Sequence, residues 1–295
     1  MLSILIPTYN YNVYPLAKQL VQQATLLNID FEFICIDDAS SSPLNMENEK
    51  INSLKNSKFI AQKQNAGYRG NRNNLVKKSK YEYLLFIDGD SIINNKNFLF
   101  NYISNLDNYV DIIYGGRTHP INIDDANKKL RWKYGKQIED KTAMVRNKNI
   151  YKSLMFNNTL IRKECFNSIK FDTSVTKYGH DDTLFAYQVS KSNLKVKHID
   201  NPVEHGDIDL NIAFIKKTEE GIINIFDLYQ SNKIDYKFVK ILNFYTNLKK
   251  IKINYFVSFL FKFTKPVLTK QLESSNPSLI LFNFYKIGLL CSLKK

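Results

Sequence analysis

The chain has 295 residues, 44% hydrophobic and 13% aromatic, enough for one sizeable core with an appendage. A formal charge of +14 admits anionic partners such as nucleic acid, lipid or nucleotide phosphates. Three widely separated cysteines, Cys35, Cys165 and Cys291, give neither a disulfide framework nor a zinc knuckle.

The opening "MLSILIPTYN" puts a strand at Ser3 to Ile6 with no basic leader before it, which predicts an enzyme of the cytoplasm without a cleaved signal peptide. Val13, Leu16, Ala17, Leu20, Val21, Ala24 and Leu27 then recur at helical spacing, with Asn10 or Asn12 available as a cap. "FEFICIDD", Phe31 to Asp38, is a second strand that ends in acids, "KFIAQ" a short third, and Asn71 to Lys80 a helix leading into the strand that starts at Tyr83. Such alternation predicts a parallel sheet with a nucleotide-sized crevice at its carboxyl edge.

That fourth strand reads "YLLFIDGDSII": an apolar run carrying Asp88 and Asp90 at its end, with only Gly89 between them. Two carboxylates so spaced repel each other unless a cation or a shared proton relieves them, which points to a metal or phosphate site. The same three residues also serve as ordinary turn chemistry. Farther on, "VDIIYGG", "FNNTLIRKECF" and "KVKHIDN" read as strands and "DDTLFAYQVSKSN" as a helix. From about Asn211 the chain is helical, then basic and aromatic, so the expected division is a catalytic domain over 1–210 and a helical extension over 211–295.

"SILIPTYN", "ICIDDAS", "NAGYRGNRN", "LLFIDGD", "KYGHDDTLFAYQV" and "NPVEH" occur in the order and approximate spacing of family 2 glycosyltransferases, and over roughly Met1 to Gly206 the chain resembles them. The resemblance implies a GT-A fold: an α/β, Rossmann-like, mostly parallel sheet with flanking helices. It implies inverting transfer of a sugar from a nucleoside diphosphate, most often a UDP-linked hexose, to an acceptor hydroxyl of a glycan or lipid-linked molecule in surface polysaccharide synthesis. By this resemblance Pro7, Thr8 and Tyr9 lie along the nucleobase, Asp37 or Asp38 accepts a hydrogen bond from it, with Asp38 preferred, and Arg72 lies near base and phosphates. Asp88 would face the ribose and a Mn²⁺ or Mg²⁺ ion, Asp90 would ligate that ion, and His205 would complete its shell.

The same resemblance makes Asp182 the general base; Asp181 stands where Glu is more usual and is expected on the acceptor side. Without the family context the pair reads as a helix cap. "LRWKYG" offers Arg131 and Trp132 to a sugar or anionic acceptor, or to packing of a lid helix. His198 is expected to be structural, His180 borders the base, and His119 has no assigned role.

Between Tyr236 and Leu272 there is no Asp or Glu, while Lys237, Lys240, Lys249, Lys250, Lys252, Lys262, Lys265 and Lys270 all fall there. No apolar run in this tail approaches the ~20 residues that span a bilayer, so it is expected either to lie at an anionic membrane surface, at the inner face, or to pack on the core. Nucleic acid is not an expected partner. Two rival functions are a haloacid-dehalogenase-like phosphotransferase using Asp88 and Asp90, and a non-catalytic nucleotide-sugar binder.

Overall fold

The computed structural model describes residues 1–293. The described residues form a seven-stranded sheet and a three-stranded one. In chain order the strands are β1 (Leu2–Thr8), β2 (Phe31–Asp37), β3 (Ser57–Ala61), β4 (Tyr83–Ile87), β5 (Ser91–Ile92), β6 (Ile112–Tyr114), β7 (Arg117–Thr118), β8 (Asn158–Arg162), β9 (Val196–His198) and β10 (Val203–His205).

The large sheet runs β3-β2-β1-β4-β8-β6-β9. The β1–β2, β1–β4, β2–β3 and β6–β9 pairings are parallel, whereas β8 runs antiparallel to β4 and β6. Every residue of β1 is buried, as expected of a strand covered on both faces. The strand order reverses between β1 and β4, and in open α/β sheets ligands bind beyond the carboxyl ends at such a reversal.

Helix Tyr14–Leu26 lays Leu16, Ala17, Leu20, Val21 and Ala24 against this sheet, in a core with Ile4, Ile6, Phe31, Phe33 and Leu85. Of the two capping candidates, Asn12 accepts the Tyr14 N–H at 3.1 Å, while Asn10 is left-handed at φ 53°. The helix expected from Asn71 starts earlier, at Gly67, whose N–H is taken by Asn65 Oδ1 at 2.9 Å. "RKECF" is not the end of a strand: β8 stops at Arg162 and helix Lys163–Ile169 follows.

The described chain separates into two compact units. The first holds Met1–Thr118, Lys141–Thr176 and Gln188–Asp207; the second holds His119–Asp140, Lys177–Tyr187 and the chain from Ile208 onward, so it takes in two segments that precede residue 211. All ten strands belong to the first unit, and the second is helical, with Lys129–Tyr134, Asn211–Gln230, Lys240–Lys250, Ile253–Leu272 and Leu279–Ser292 as its main elements. Among the described residues no helix is long and apolar enough to cross a membrane.

Candidate active site

The acids that close β4 are held by parts of the first unit far apart in sequence. A side chain at Gly89 would be crowded, since a Cβ there would come within 3.2 Å of the Pro7 carbonyl and Val13 Cγ2 and 3.3 Å of Thr8 Oγ1. The turn therefore lies directly against the end of β1.

Asp88 Oδ1 accepts from Arg72 Nη2 at 2.6 Å, and Arg117 Nη2 stands 3.9 Å from its other oxygen. Arg72 is 0% exposed, which a guanidinium tolerates only when paired. Its charge is further served by the Tyr68 ring, 3.4 Å from the guanidinium carbon, and by the Tyr68 hydroxyl, which accepts from Nη2. Tyr68 and Arg72 lie four apart on helix Gly67–Lys78 and so share one face.

Asp90 meets His205, with Oδ2 at 3.0 Å from Nε2. The small sheet makes this contact. Its order is β5-β10-β7, with His205 opposite Ser91 and Val203 opposite Arg117, so strands of two or three residues gather the sequel of Asp90, His205 and Arg117. Gly206 N–H donates to the Asp90 carbonyl at 3.0 Å, and a Cβ at Gly206 would lie 2.6 Å from that oxygen. Burial works to raise the Asp90 carboxyl, but the His205 hydrogen bond and charge, with Arg117, hold it below the usual carboxylate range.

Arg117 is delivered by the Gly115-Gly116 turn. A Cβ on Gly115 would clash with Tyr102 Oη at 2.4 Å, and Gly116 has φ +101°. Asn158 Nδ2 bonds the Gly116 and Asn201 carbonyls at 2.9 Å each, and buried Arg146 donates to the carbonyls of Gly115 at 3.2 Å and Ile199 at 2.7 Å. Arg117 and Tyr68 went unassigned in the sequence. The i, i+4 step from Tyr68 to Arg72 and the Gly-Gly-Arg run after a short apolar strand were the signals available.

At the end of β2 the two acids differ. Asp38 Oδ1 is engaged by Gln62 Nε2 at 2.9 Å and the Ala66 N–H at 2.8 Å, and burial, with the Asp37 charge, nevertheless raises its carboxyl. Asp37 is 1% exposed; its Oδ2 takes Ser40 N–H at 2.9 Å and Asn45 Nδ2 at 3.1 Å, while Oδ1 has no hydrogen-bond partner among the described residues. Thr8 Oγ1 is likewise buried without one. Pro7 is buried and Tyr9 exposed.

In the second unit, Asp181 and Asp182 form the first turn of helix Asp181–Lys191. The turn before it is strained: Gly179 has φ +85° and His180 φ +59°. Gly179 passes Gly221 so closely that a Cβ would lie 3.2 Å from its Cα, and Asn224 donates to the Gly179 carbonyl. Burial, with the Lys286 charge, pushes the His180 imidazole down to about 4, and His180 Nδ1 lies 3.1 Å from Thr183 Oγ1. Asp182 Oδ1 is buried with no hydrogen-bond partner among the described residues.

Arg131 is 5% exposed and bound to Glu139 at 2.9 Å, and the Trp132 N–H is given to the Pro120 carbonyl at 2.8 Å. His119 is buried against Asp140 at 2.6 Å, where burial depresses its imidazole. His198 is buried, with Nε2 at 2.8 Å from the Ile150 carbonyl. Among the described residues no group of three or more His, Cys, Asp or Glu is set to hold a metal, and the Asp90–His205 contact is a pair.

The sequence profile of glycosyl transferase family 2 matches residues 3–176, more than half of the chain. Asp181, Asp182 and His205 lie beyond that span. A poly(ribitol-phosphate) beta-glucosyltransferase of Bacillus spizizenii is 36% identical over 118 residues, which cover 39% of this chain and 18% of that relative. The fold is shared with S. aureus TarS 1–349 in complex with UDP-GlcNAc (TM-score 0.55, 17% identity, 97% of this chain and 90% of that one). It is shared too with the mannosyltransferase PcManGT of Pyrobaculum calidifontis in complex with GDP-Man and Mn²⁺ (TM-score 0.51, 13% identity, 78% and 64%). These findings displace the haloacid-dehalogenase-like alternative, in which the acidic motif closes the first core strand instead of the fourth. The chain belongs to glycosyl transferase family 2, with the α/β architecture of the GT-A fold.

Proposed function

We propose that this glycosyltransferase moves a hexose from a UDP donor to a hydroxyl of a glycan or lipid-linked acceptor of a surface polysaccharide, in the cytoplasm and with inversion at the anomeric carbon. The observation that carries the reading is the end of β4, where the buried Arg72–Asp88 pair adjoins the Asp90–His205 contact. UDP and UDP-GlcNAc are bound by S. aureus TarS, and the Bacillus relative is named for a polymer acceptor, which supports these donor and acceptor classes.

Thr8 and Asp37 suit the base, since each keeps a buried oxygen to accept or exchange a hydrogen bond. Asp37 is preferred to Asp38, whose Oδ1 already ties down the Gln62–Ala66 loop. Pro7 and Tyr9 flank that edge. A carboxylate oxygen and an imidazole nitrogen suit Mn²⁺ or Mg²⁺, so Asp90 and His205 would hold the ion, which typically takes its other ligands from substrate phosphates and water. When bound, that cation neutralises charge building on the departing diphosphate. Asp88, engaged by Arg72, is better suited to orienting the ribose.

Asp182 takes the proton of the attacking hydroxyl, a task that needs an acceptor atom not already spent. Asp181 is retained for the acceptor. Trp132 is not, because its N–H is given to the Pro120 carbonyl, whereas Arg131 is retained with Asp181, since Nη2 binds Glu139 but the buried Nη1 has no hydrogen-bond partner among the described residues.

The test is release of UDP from UDP-glucose, UDP-galactose and UDP-GlcNAc with candidate acceptors, for the wild type and Asp182→Asn. Turnover lost in the variant while UDP still binds is expected. Binding without turnover of any nucleotide sugar would instead identify a non-catalytic binder.

A further inference from the structure

Helix Ile253–Leu272 has two unlike faces. Asn254, Phe261, Leu268 and Leu272 are buried. On that side Phe261 meets Tyr285 of helix Leu279–Ser292 edge-on, with ring centroids 5.2 Å apart, and Gly288 lets the backbones close, since a Cβ there would lie 2.5 Å from the Phe261 ring.

The opposite face should be polar if it met only water. Instead Tyr255 (73% exposed), Phe256 (61%), Phe259 (59%), Phe263 (66%) and Val267 (72%) follow one another at steps of one, three and four residues. They make one aromatic stripe, and the Phe259 and Phe263 rings touch with centroids 4.8 Å apart. Lys252 and Lys270 stand at its two ends and Lys262 on its rim, all exposed. An apolar stripe so ordered marks a contact surface and not scattered surface residues.

We infer that this stripe is a membrane-docking face whose partner is an anionic lipid surface, with the rings in the interface and the lysines at the headgroups. Charge complementarity selects that partner over a second copy of the chain. Pairing two copies through this face would bring together helices from a stretch with eight lysines and no carboxylate, from Tyr236 to Leu272. Anionic headgroups accept both the ammonium groups and the rings. The helix is not a membrane span, so it lies in the interface plane. The inference is independent of donor and acceptor, because docking needs no turnover.

The experiment is co-sedimentation of the full chain with vesicles of phosphatidylcholine containing phosphatidylglycerol, and with phosphatidylcholine alone, at low and high salt. Phe259→Gln/Phe263→Gln is compared with Tyr109→Gln, an exposed aromatic of the first unit. Expected are binding to the anionic vesicles that weakens in high salt, a loss of at least tenfold in the double variant, and no change in the Tyr109 variant. Should the double variant fail to fold by circular dichroism, Phe263→Gln alone carries the comparison. Wild-type indifference to phosphatidylglycerol, or binding untouched by the substitutions, overturns the inference. So does a lipid-free dimer by light scattering that the double variant dissolves, which would give the face to a second copy.

Discussion

The acids after β4 and those after Gly179 are spelled alike but built differently. Asp88 and Asp90 each have a cationic or imidazole partner within 3.0 Å. Asp182, at the head of its helix, keeps a buried Oδ1 with no hydrogen-bond partner among the described residues. Carboxylates that orient a ligand and hold its charge must themselves be fixed, whereas a base needs a lone pair left over. In the proposed mechanism the first pair has a holding role and Asp182 a proton-moving one; an unspent oxygen alone does not separate the two, since Asp37 keeps one as well.

The sharpest break of that comparison is Asp182→Asn, which keeps shape and removes basicity. Sugar transfer should fall by about 10²–10⁴-fold with UDP affinity unchanged; a parallel loss of UDP binding would place Asp182 with the holding acids. Next is Arg72→Met, which strips the cation from Asp88. Removing one member of a buried pair costs about 3–5 kcal/mol, and the lower end is expected because 18% of Asp88 reaches solvent. Urea unfolding gives the value, and a change under 1 kcal/mol, within the usual worth of an exposed pair, would mean the pair is ornamental.

Gly89→Ala should be milder, about 1–3 kcal/mol for overpacking against the end of β1, read in the same unfolding assay. A neutral result would show that Pro7 to Val13 yields without strain. The smallest effect concerns pH. Above the unfolded His value of ~6.5, His180 is neutral in both states. As pH falls from there towards about 4 the unfolded state takes the proton first, so stability is lost across that window. The residue is only half-buried, so the slope falls short of the ~1.4 kcal/mol per pH unit of a wholly sequestered imidazole. His119 and His198 are depressed in the same direction. His180→Asn, which tolerates positive φ, should therefore flatten the loss without removing it, in thermal melts across that range.

The first four strands were legible because their residues are apolar, short and bounded by turn chemistry, as Phe31 to Asp38 and Tyr83 to Ile87 show. Periodicity could not show β5, β7 and β10, whose two or three residues are too few to carry a pattern. Yet these strands gather Arg117 and His205 beside Asp90. "RKECF" misled because Phe166 is buried from a helix as well as from a strand, and short apolar runs do not tell the two apart. Asp37 and Asp38 are adjacent and identical in type; the loop from Gln62 to Ala66 on one, and Ser40 and Asn45 on the other, distinguish them. The exposure of Phe256, Phe259 and Phe263 was also hidden, since an aromatic residue at helical spacing normally faces a core.

Calorimetric titration of UDP, with Mn²⁺, without metal, and into Asp90→Ala, tests most directly whether the end of β4 holds a nucleoside diphosphate. Binding that requires the cation and is lost on removing the Asp90 carboxylate is the predicted result. Binding of equal strength in all three conditions, or silence of UDP, GDP and CDP alike, would contradict it.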